Sequence, residues 1–247
     1  MNFSKKVVMI TGAASPIGQA LIRVFSAGGA SFVLADINSE ALKQVVDELA
    51  PDALVISGDL SDRSVVDELV AKATQRFNRI DVLVNNAGGG VIAPFLEHTL
   101  ETMKATIDRN LWTCVHCCHA VLPLMIENGY GRIVNVGADS VRNGLWNHAM
   151  YNAAKGGVHA LTTGLTREFA EYDITFNTVA PCMVRTPIVD RAIAENNPLV
   201  DKFLSVIPKG RSAETSEVAS MVAYLALPEA GFVTGQVISV NGGSAML

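Results

Sequence analysis

The opening of the chain constrains its fold more than any other stretch. A β-rich apolar run from Val7 to Ile10 breaks at Thr11-Gly12, and helical spacing from Ile17 to Phe25 runs up to Gly28-Gly29. A second run, Ser31 to Ala35, then stops at Asp36. Strand, small-residue turn, helix and strand in this order make a β-turn-α-β unit, the expected seat of a dinucleotide. The turn from Thr11 to Gly18 holds small residues that let backbone N–H groups and a helix N-terminus approach a pyrophosphate, which makes Gly12, Ser15, Ile17 and Gly18 candidate contacts. Asp36 ends the second strand, where a carboxylate can accept hydrogen bonds from both ribose hydroxyls and repels a 2′-phosphate. No Lys or Arg lies in the glycine turn, so NAD is expected over NADP.

The alternation continues along the chain. Strands are expected at 53–57, 80–84, 131–136, 174–179 and 236–240, with helices at 62–77, through Tyr151 to about 172, and at 215–227. This pattern predicts an α/β fold with a doubly wound parallel sheet, a Rossmann-like three-layer sandwich formed by a single domain over 1–247. Ligands of such sheets gather beyond the carboxyl ends of the strands, where Gly12, Asp36, Asp59 and Asn85 all fall. Pro181 to Arg211 reads as one long irregular stretch, and a loop of that length points to a substrate lid at about 182–211.

Composition removes several classes of function. A formal charge of −5 without a Lys/Arg run argues against a sequence-independent grip on nucleic acid. Val7 to Ile10 is too short for a signal-peptide core and no segment approaches a membrane span, so the expectation is a soluble cytoplasmic protein with no membrane partner. Three of the four cysteines crowd into Cys114-Val115-His116-Cys117-Cys118-His119, but no second ligand pair follows at finger-like distance. No metal is expected; the segment reads as a packed or subunit-contact helix.

Tyr151-Asn152-Ala153-Ala154-Lys155 is the stretch that carries chemistry. On a helix, a spacing of four sets phenol and ammonium on one face. A cation beside a phenol favours the phenolate and so lowers its pKa toward neutrality, which makes a proton-transfer device.

Taken together, the Thr-Gly turn with Gly18, Asp59-Leu60, Asn85-Asn86-Ala87-Gly88, Asn110, Tyr151 with Lys155, and Pro181 through Thr186 resemble the short-chain dehydrogenase/reductase superfamily along the whole chain. The resemblance implies an NAD-dependent oxidoreductase that interconverts a secondary alcohol and a ketone. Tyr151 would be the general acid/base, Lys155 would lower its pKa and bind the nicotinamide ribose, and Asn110 would hold a water of the proton relay. Asp59 and Leu60 would border the adenine, Asn86, Ala87 and Gly88 the adenosine ribose, and Val184 with Thr186 the carboxamide. Family members pair through the helices corresponding to 111–126 and 151–172, which implies a homotetramer or homodimer with the cysteine face buried against a neighbour.

Two departures matter. Ala138 stands where the family carries a serine that holds the substrate oxygen, and Ser140 is the nearby hydroxyl that a loop shift would have to bring in its place. Pro16 replaces a turn glycine and removes one N–H. They sustain a second reading, a non-catalytic subunit in a hetero-oligomer with a family paralogue. The inventory around the expected pocket, Gly89 to Ile92, Leu145 to His148 and the lid, is largely apolar. It fits a hydrophobic small-molecule alcohol of cyclic or aromatic type. The run Tyr151 to Val158, with Gly156-Gly157, is similar to bacterial members of the family acting on alicyclic or aromatic-derived hydroxy acids and their CoA thioesters, a resemblance that makes Arg142, Arg185 and Lys209 candidate anchors for an acidic group.

Overall fold

The computed structural model describes residues 1–246. Seven strands, β1 (Val7–Thr11), β2 (Ser31–Asp36), β3 (Leu54–Ser57), β4 (Val82–Asn85), β5 (Gly131–Val136), β6 (Ile174–Pro181) and β7 (Val237–Val240), form one all-parallel sheet in the order β3-β2-β1-β4-β5-β6-β7. Ten α-helices interleave with them: α1 (Pro16–Ala27), α2 (Ser39–Leu49), α3 (Arg63–Phe77), α4 (Leu100–Ile107), α5 (Thr113–Glu127), α6 (Ser140–Asn143), α7 (Ala149–Glu168), α8 (Pro187–Ala194), α9 (Pro198–Ser205) and α10 (Thr215–Leu225).

The strand period of two divides the core into two layers. Val8, Ile10, Phe32 and Leu34 point to one face, where Leu21, Ile22 and Phe25 of α1, Leu42 of α2 and Val218 and Val222 of α10 cover them. Val7, Met9, Val33 and Ala35 point to the other, under Leu69 of α3, Cys117 and Val121 of α5 and Val158 of α7. Burial on both faces explains why β1 and β4 read as unbroken apolar runs rather than alternating ones. The chain winds outward from β1 through β2 to β3, then crosses back to lay β4 on the other side of β1. Around that reversal the loops that follow β1, β2, β3 and β4 border a crevice at the carboxyl edge.

Three expectations need correction. The stretch 181–211 is not irregular, for it contains α8 and α9; Pro187 and Pro198, the residues that looked like breakers, start these helices behind the N-caps Thr186 and Asn197. The helix through Tyr151 ends at Glu168, short of Tyr172. The cysteines are buried within the subunit itself: Cys114 and Cys118 face the sheet, with Cys114 Sγ donating to Asn135 Oδ1 at 3.4 Å and Asn85 Nδ2 donating to Cys118 Sγ at 3.3 Å. They are therefore not left over for a neighbouring subunit. Among the described residues no cluster of His, Cys, Asp or Glu could hold a metal ion, and no helix is long and apolar enough to cross a membrane.

Candidate active site

The glycine turn is built by local hydrogen bonds. Ser15 caps α1, its Oγ accepting from Gly18 N at 3.1 Å and donating to Gly12 O at 2.8 Å. Pro16 is the first helical residue, where the missing N–H would have had no helical acceptor. The next donor, Ile17 N–H, has no acceptor among the described residues. Gly12 takes φ +63°, and a Cβ there would stand 2.9 Å from Ala87 Cα. Gly18 lies beneath the turn, where a Cβ would meet Gly12 O at 2.3 Å; it is a packing position.

The loop after β4 is sewn to this turn. Asn86 Nδ2 donates to Thr11 O, Gly12 O and Ser15 Oγ, at 3.0, 2.9 and 3.1 Å, and Thr11 Oγ1 accepts the N–H groups of Asn86 and Ala87. Asn86 thus holds the turn in shape. Asp36 accepts from Ala14 N and Asn38 N, both at 2.9 Å, one through each carboxylate oxygen, so each oxygen keeps lone pairs for an incoming donor. Between these elements lies a cavity of about 530 Å³, with Gly12, Ser15, Asp36, Asp59, Leu60 and Gly88 on its walls. An open carboxylate at its rim and walls of small residues suit the adenosine half of a dinucleotide. Ile17, Gly18, Val184 and Thr186 do not line it. Val184 bridges to Ala213, and Thr186 caps α8.

Toward β5 the site narrows. Asn110 sits in a π-helical turn, Asp108–Trp112, and is buried. Its Nδ2 donates to Gly89 O at 2.6 Å and Thr106 O at 2.8 Å, and its Oδ1 accepts from Gly89 N at 3.1 Å. Lys155 is 4% exposed, and its Nζ donates to Val136 O at 2.8 Å. A Cβ on Gly88 would stand 2.8 Å from Asn110 Oδ1 and 3.1 Å from Lys155 Nζ, so the absence of a side chain there is what lets amide and ammonium share one corner. Gly157 has a related use: a Cβ would press on Leu111 at 3.0 Å, and its absence lets α7 approach the π turn.

Tyr151 lies on the same face of α7, with Lys155 Nζ 5.9 Å from its ring centroid, and its hydroxyl has no hydrogen-bond partner among the described residues. Burial pushes the phenol up to about 12 and Lys155 down to about 8. The expected direction of the tyrosine shift is thereby reversed in the protein alone: removal from water acts on the phenolate, and no bond from Lys155 to the hydroxyl opposes it. At neutral pH Lys155 still carries its charge for the most part.

The position of the missing serine is buried. The N–H of Ala138 points at His159 Nε2, 3.4 Å away, and burial, with Arg142 and Lys155 adding to it, pushes that imidazole down to about 4. Ser140 Oγ donates to Asn152 Oδ1 at 2.6 Å, so its single proton is already engaged. Asp139, fully buried, accepts from Ser239 Oγ and Asn241 Nδ2, each at 3.0 Å, and from Ser244 Oγ, tying this loop to the end of the chain. Of the proposed acid anchors, Arg142 donates to Ser239 Oγ and Val237 O, Arg185 pairs with Asp190 and Glu214, and Lys209 lines a different cavity. Phe203 of α9 packs edge-on against His148, and His148 edge-on against Tyr151.

Sequence reading missed Arg109, Thr113, Asn38 and Ala41, which also line the cavity beside Asp36. The first two were within reach, since they lie four apart on one helical face beside Asn110.

A family model described as enoyl-(acyl carrier protein) reductase matches residues 12–245. The chain is 54% identical over 246 residues to a 2,3-dihydroxy-2,3-dihydro-p-cumate dehydrogenase of Pseudomonas putida, covering 98% of this chain and 95% of that one. It is 36% identical over 245 residues to a meso-2,3-butanediol dehydrogenase of Serratia marcescens, covering 99% and 96%. The crystal structure of levodione reductase superposes with a TM-score of 0.90 at 34% identity, covering 100% of both chains. With matches of this length on a parallel sheet that brings Tyr151, Lys155 and Asn110 to one corner, the chain belongs to the short-chain dehydrogenase/reductase superfamily and is an oxidoreductase.

Proposed function

We propose that the chain oxidises one carbinol of a vicinal diol on a largely apolar ring, with NAD as hydride acceptor and Tyr151 as the base. The observation that carries this reading is the convergence of a free phenol hydroxyl, the Lys155 ammonium and Asn110 beside a crevice whose rim carboxylate, Asp36, has open lone pairs. The similarity to a dihydroxy-dihydro-p-cumate dehydrogenase and a butanediol dehydrogenase, both named for diol substrates, supports the substrate class.

A dinucleotide held along Gly12, Ser15, Asp36 and Gly88 would supply an oxidised nicotinamide as the hydride acceptor. The chain's own residues do the rest: Tyr151 takes the hydroxyl proton, and Lys155, fixed by Val136 O, keeps a positive charge beside the developing phenolate. That charge must offset the cost of burial on the phenolate. Asn110 locks Gly89 and keeps one oxygen lone pair toward a relay water. Asp36 accepts the ribose hydroxyls and disfavours a 2′-phosphate. Ser140 serves by positioning Asn152 and the loop after β5, since it can reach a substrate oxygen only by giving up that bond. On a dihydroxy-dihydro aromatic ring the product hydroxyketone would enolise to a catechol. Residues 182–211 would cover the substrate, and a homo-oligomer is the expected assembly.

The test is turnover of a cis-dihydrodiol of a substituted benzoate, followed by reduced-cofactor absorbance and catechol formation, with NAD⁺ and NADP⁺ in parallel. Equimolar NADH and catechol, with a marked preference for NAD⁺, is expected. Turnover with NADP⁺ alone would overturn the assignment of Asp36, and no turnover with either would overturn the substrate class.

A further inference from the structure

Three residues before Tyr151, His148 is set at the mouth of the site by an unusual local turn. Gly144 and Asn147 both take left-handed backbone angles, φ +66° and +63°, so the loop folds back before α7 begins and delivers the ring beside the tyrosine. Its neighbours leave little freedom. The ring meets Tyr151 at 5.8 Å between centroids and Phe203 at 5.2 Å, close to perpendicular in both cases (82° and 84°). It is clamped between the base and the lid helix α9.

The tautomer follows from one contact. His148 Nδ1 lies 2.7 Å from Trp146 O, and a carbonyl can only accept, so Nδ1 carries the hydrogen. Burial lowers the pKa of this ring, so at neutral pH it holds one proton and Nε2 is bare. Nε2 has no hydrogen-bond partner among the described residues. A bare ring nitrogen accepts a hydrogen bond and cannot donate one, so it is of no use to a carbonyl oxygen. It suits a hydroxyl.

We propose that His148 Nε2 accepts a hydrogen bond from the second hydroxyl of a vicinal diol while the first hydroxyl gives its proton to Tyr151. The hydroxyls of a cis diol sit on adjacent carbons, so two acceptors on packed neighbouring rings can take both at once. His148 is thereby a specificity residue: it selects diols over single alcohols, held in place by Phe203 of α9 on its far edge. The inference rests on the reading of Tyr151 as the base.

The test compares oxidation of cis-3-cyclohexene-1,2-diol with that of 2-cyclohexen-1-ol by the wild type and by His148→Phe, which keeps an aromatic ring between Tyr151 and Phe203 but removes the acceptor. The ratio of kcat/KM for diol over single alcohol should fall about tenfold in the variant, the size expected for one lost hydrogen bond to a hydroxyl, while the single alcohol changes little. An unchanged ratio overturns the role of His148 alone. A wild type that oxidises neither alcohol overturns the diol substrate class, and the role of His148 with it. Should the variant not fold, ¹⁵N spectra of the wild type decide: His148 should show a protonated Nδ1 and a bare Nε2 whose resonance moves on addition of the diol and not of the single alcohol. A protonated Nε2, or equal movement with both, refutes the inference.

Discussion

Lys155 is predicted to destabilise the protein that depends on it. Its pKa is pushed from 10.5 down to about 8 by burial, so charging it costs the folded state and not the unfolded chain. Over that interval of about two and a half units, at ~1.4 kcal/mol each, the penalty is about 3 kcal/mol. The hydrogen bond from Nζ to Val136 O returns about 1 kcal/mol, leaving a net cost near 2 kcal/mol. The sign is fixed by linkage: between about pH 8 and 10.5 the unfolded chain binds more protons than the folded one, so stability contributed at this site rises with pH. The penalty is complete below about 8 and gone above about 10.5. Lys155→Met, which keeps an unbranched apolar stem, should therefore raise the melting temperature at pH 7 by roughly 4–8 °C for a chain of this size. The advantage should shrink as the pH rises through that window, and oxidation should be lost. Calorimetric melts of both proteins from pH 6.5 to 10 make the comparison. A variant no more stable than wild type at pH 7, or an advantage that does not change with pH, would refute the reasoning.

Further perturbations separate the parts of the site. Asp36→Asn, by removing the charge that draws the ribose hydroxyls, should raise the NADH dissociation constant about tenfold and narrow the gap to NADPH, read by fluorescence titration. Gly88→Ala should cut turnover severely while Gly89→Ala, at a position with open space around its missing Cβ but φ +144°, acts through backbone strain instead; crystal structures of the two would show Lys155 Nζ pushed aside only in the first. Ser140→Ala should lower kcat less than tenfold and cost about 1–2 kcal/mol in denaturant unfolding, because Asn152 Oδ1 loses its donor. A kcat loss of ~10²–10³ with stability intact would instead put the Ser140 hydroxyl on the substrate oxygen.

The architecture was legible because its signals are local and repeated. Runs such as Val7 to Ile10 and Ile133 to Val136, each ended by small polar residues, give the strands and place Gly12, Asp36, Asp59 and Asn86 at one edge. The prolines misled at 181–211, because a proline at the first turn of a helix and one in a loop look alike until the cap before it is weighed. Burial was harder to see. The spacing of Tyr151 and Lys155 states that they share a face, but the sign of a pKa shift depends on the water removed around both, and that comes from β4, β5 and the π turn, distant in sequence. The engagement of Ser140 with Asn152, twelve residues apart, and of His148 with Phe203, fifty-five apart, likewise exists only once the chain has folded.

The central claim is that a half-buried phenol, held beside an ammonium, moves the substrate proton. Single-turnover oxidation of a cis-dihydrodiol by wild type and Tyr151→Phe, with NADH affinity measured on both, tests it most directly. A rate loss of ~10²–10⁴ in the variant with NADH affinity unchanged within about twofold is the result expected of a missing general base. A variant that retains a rate within tenfold of wild type would contradict the claim.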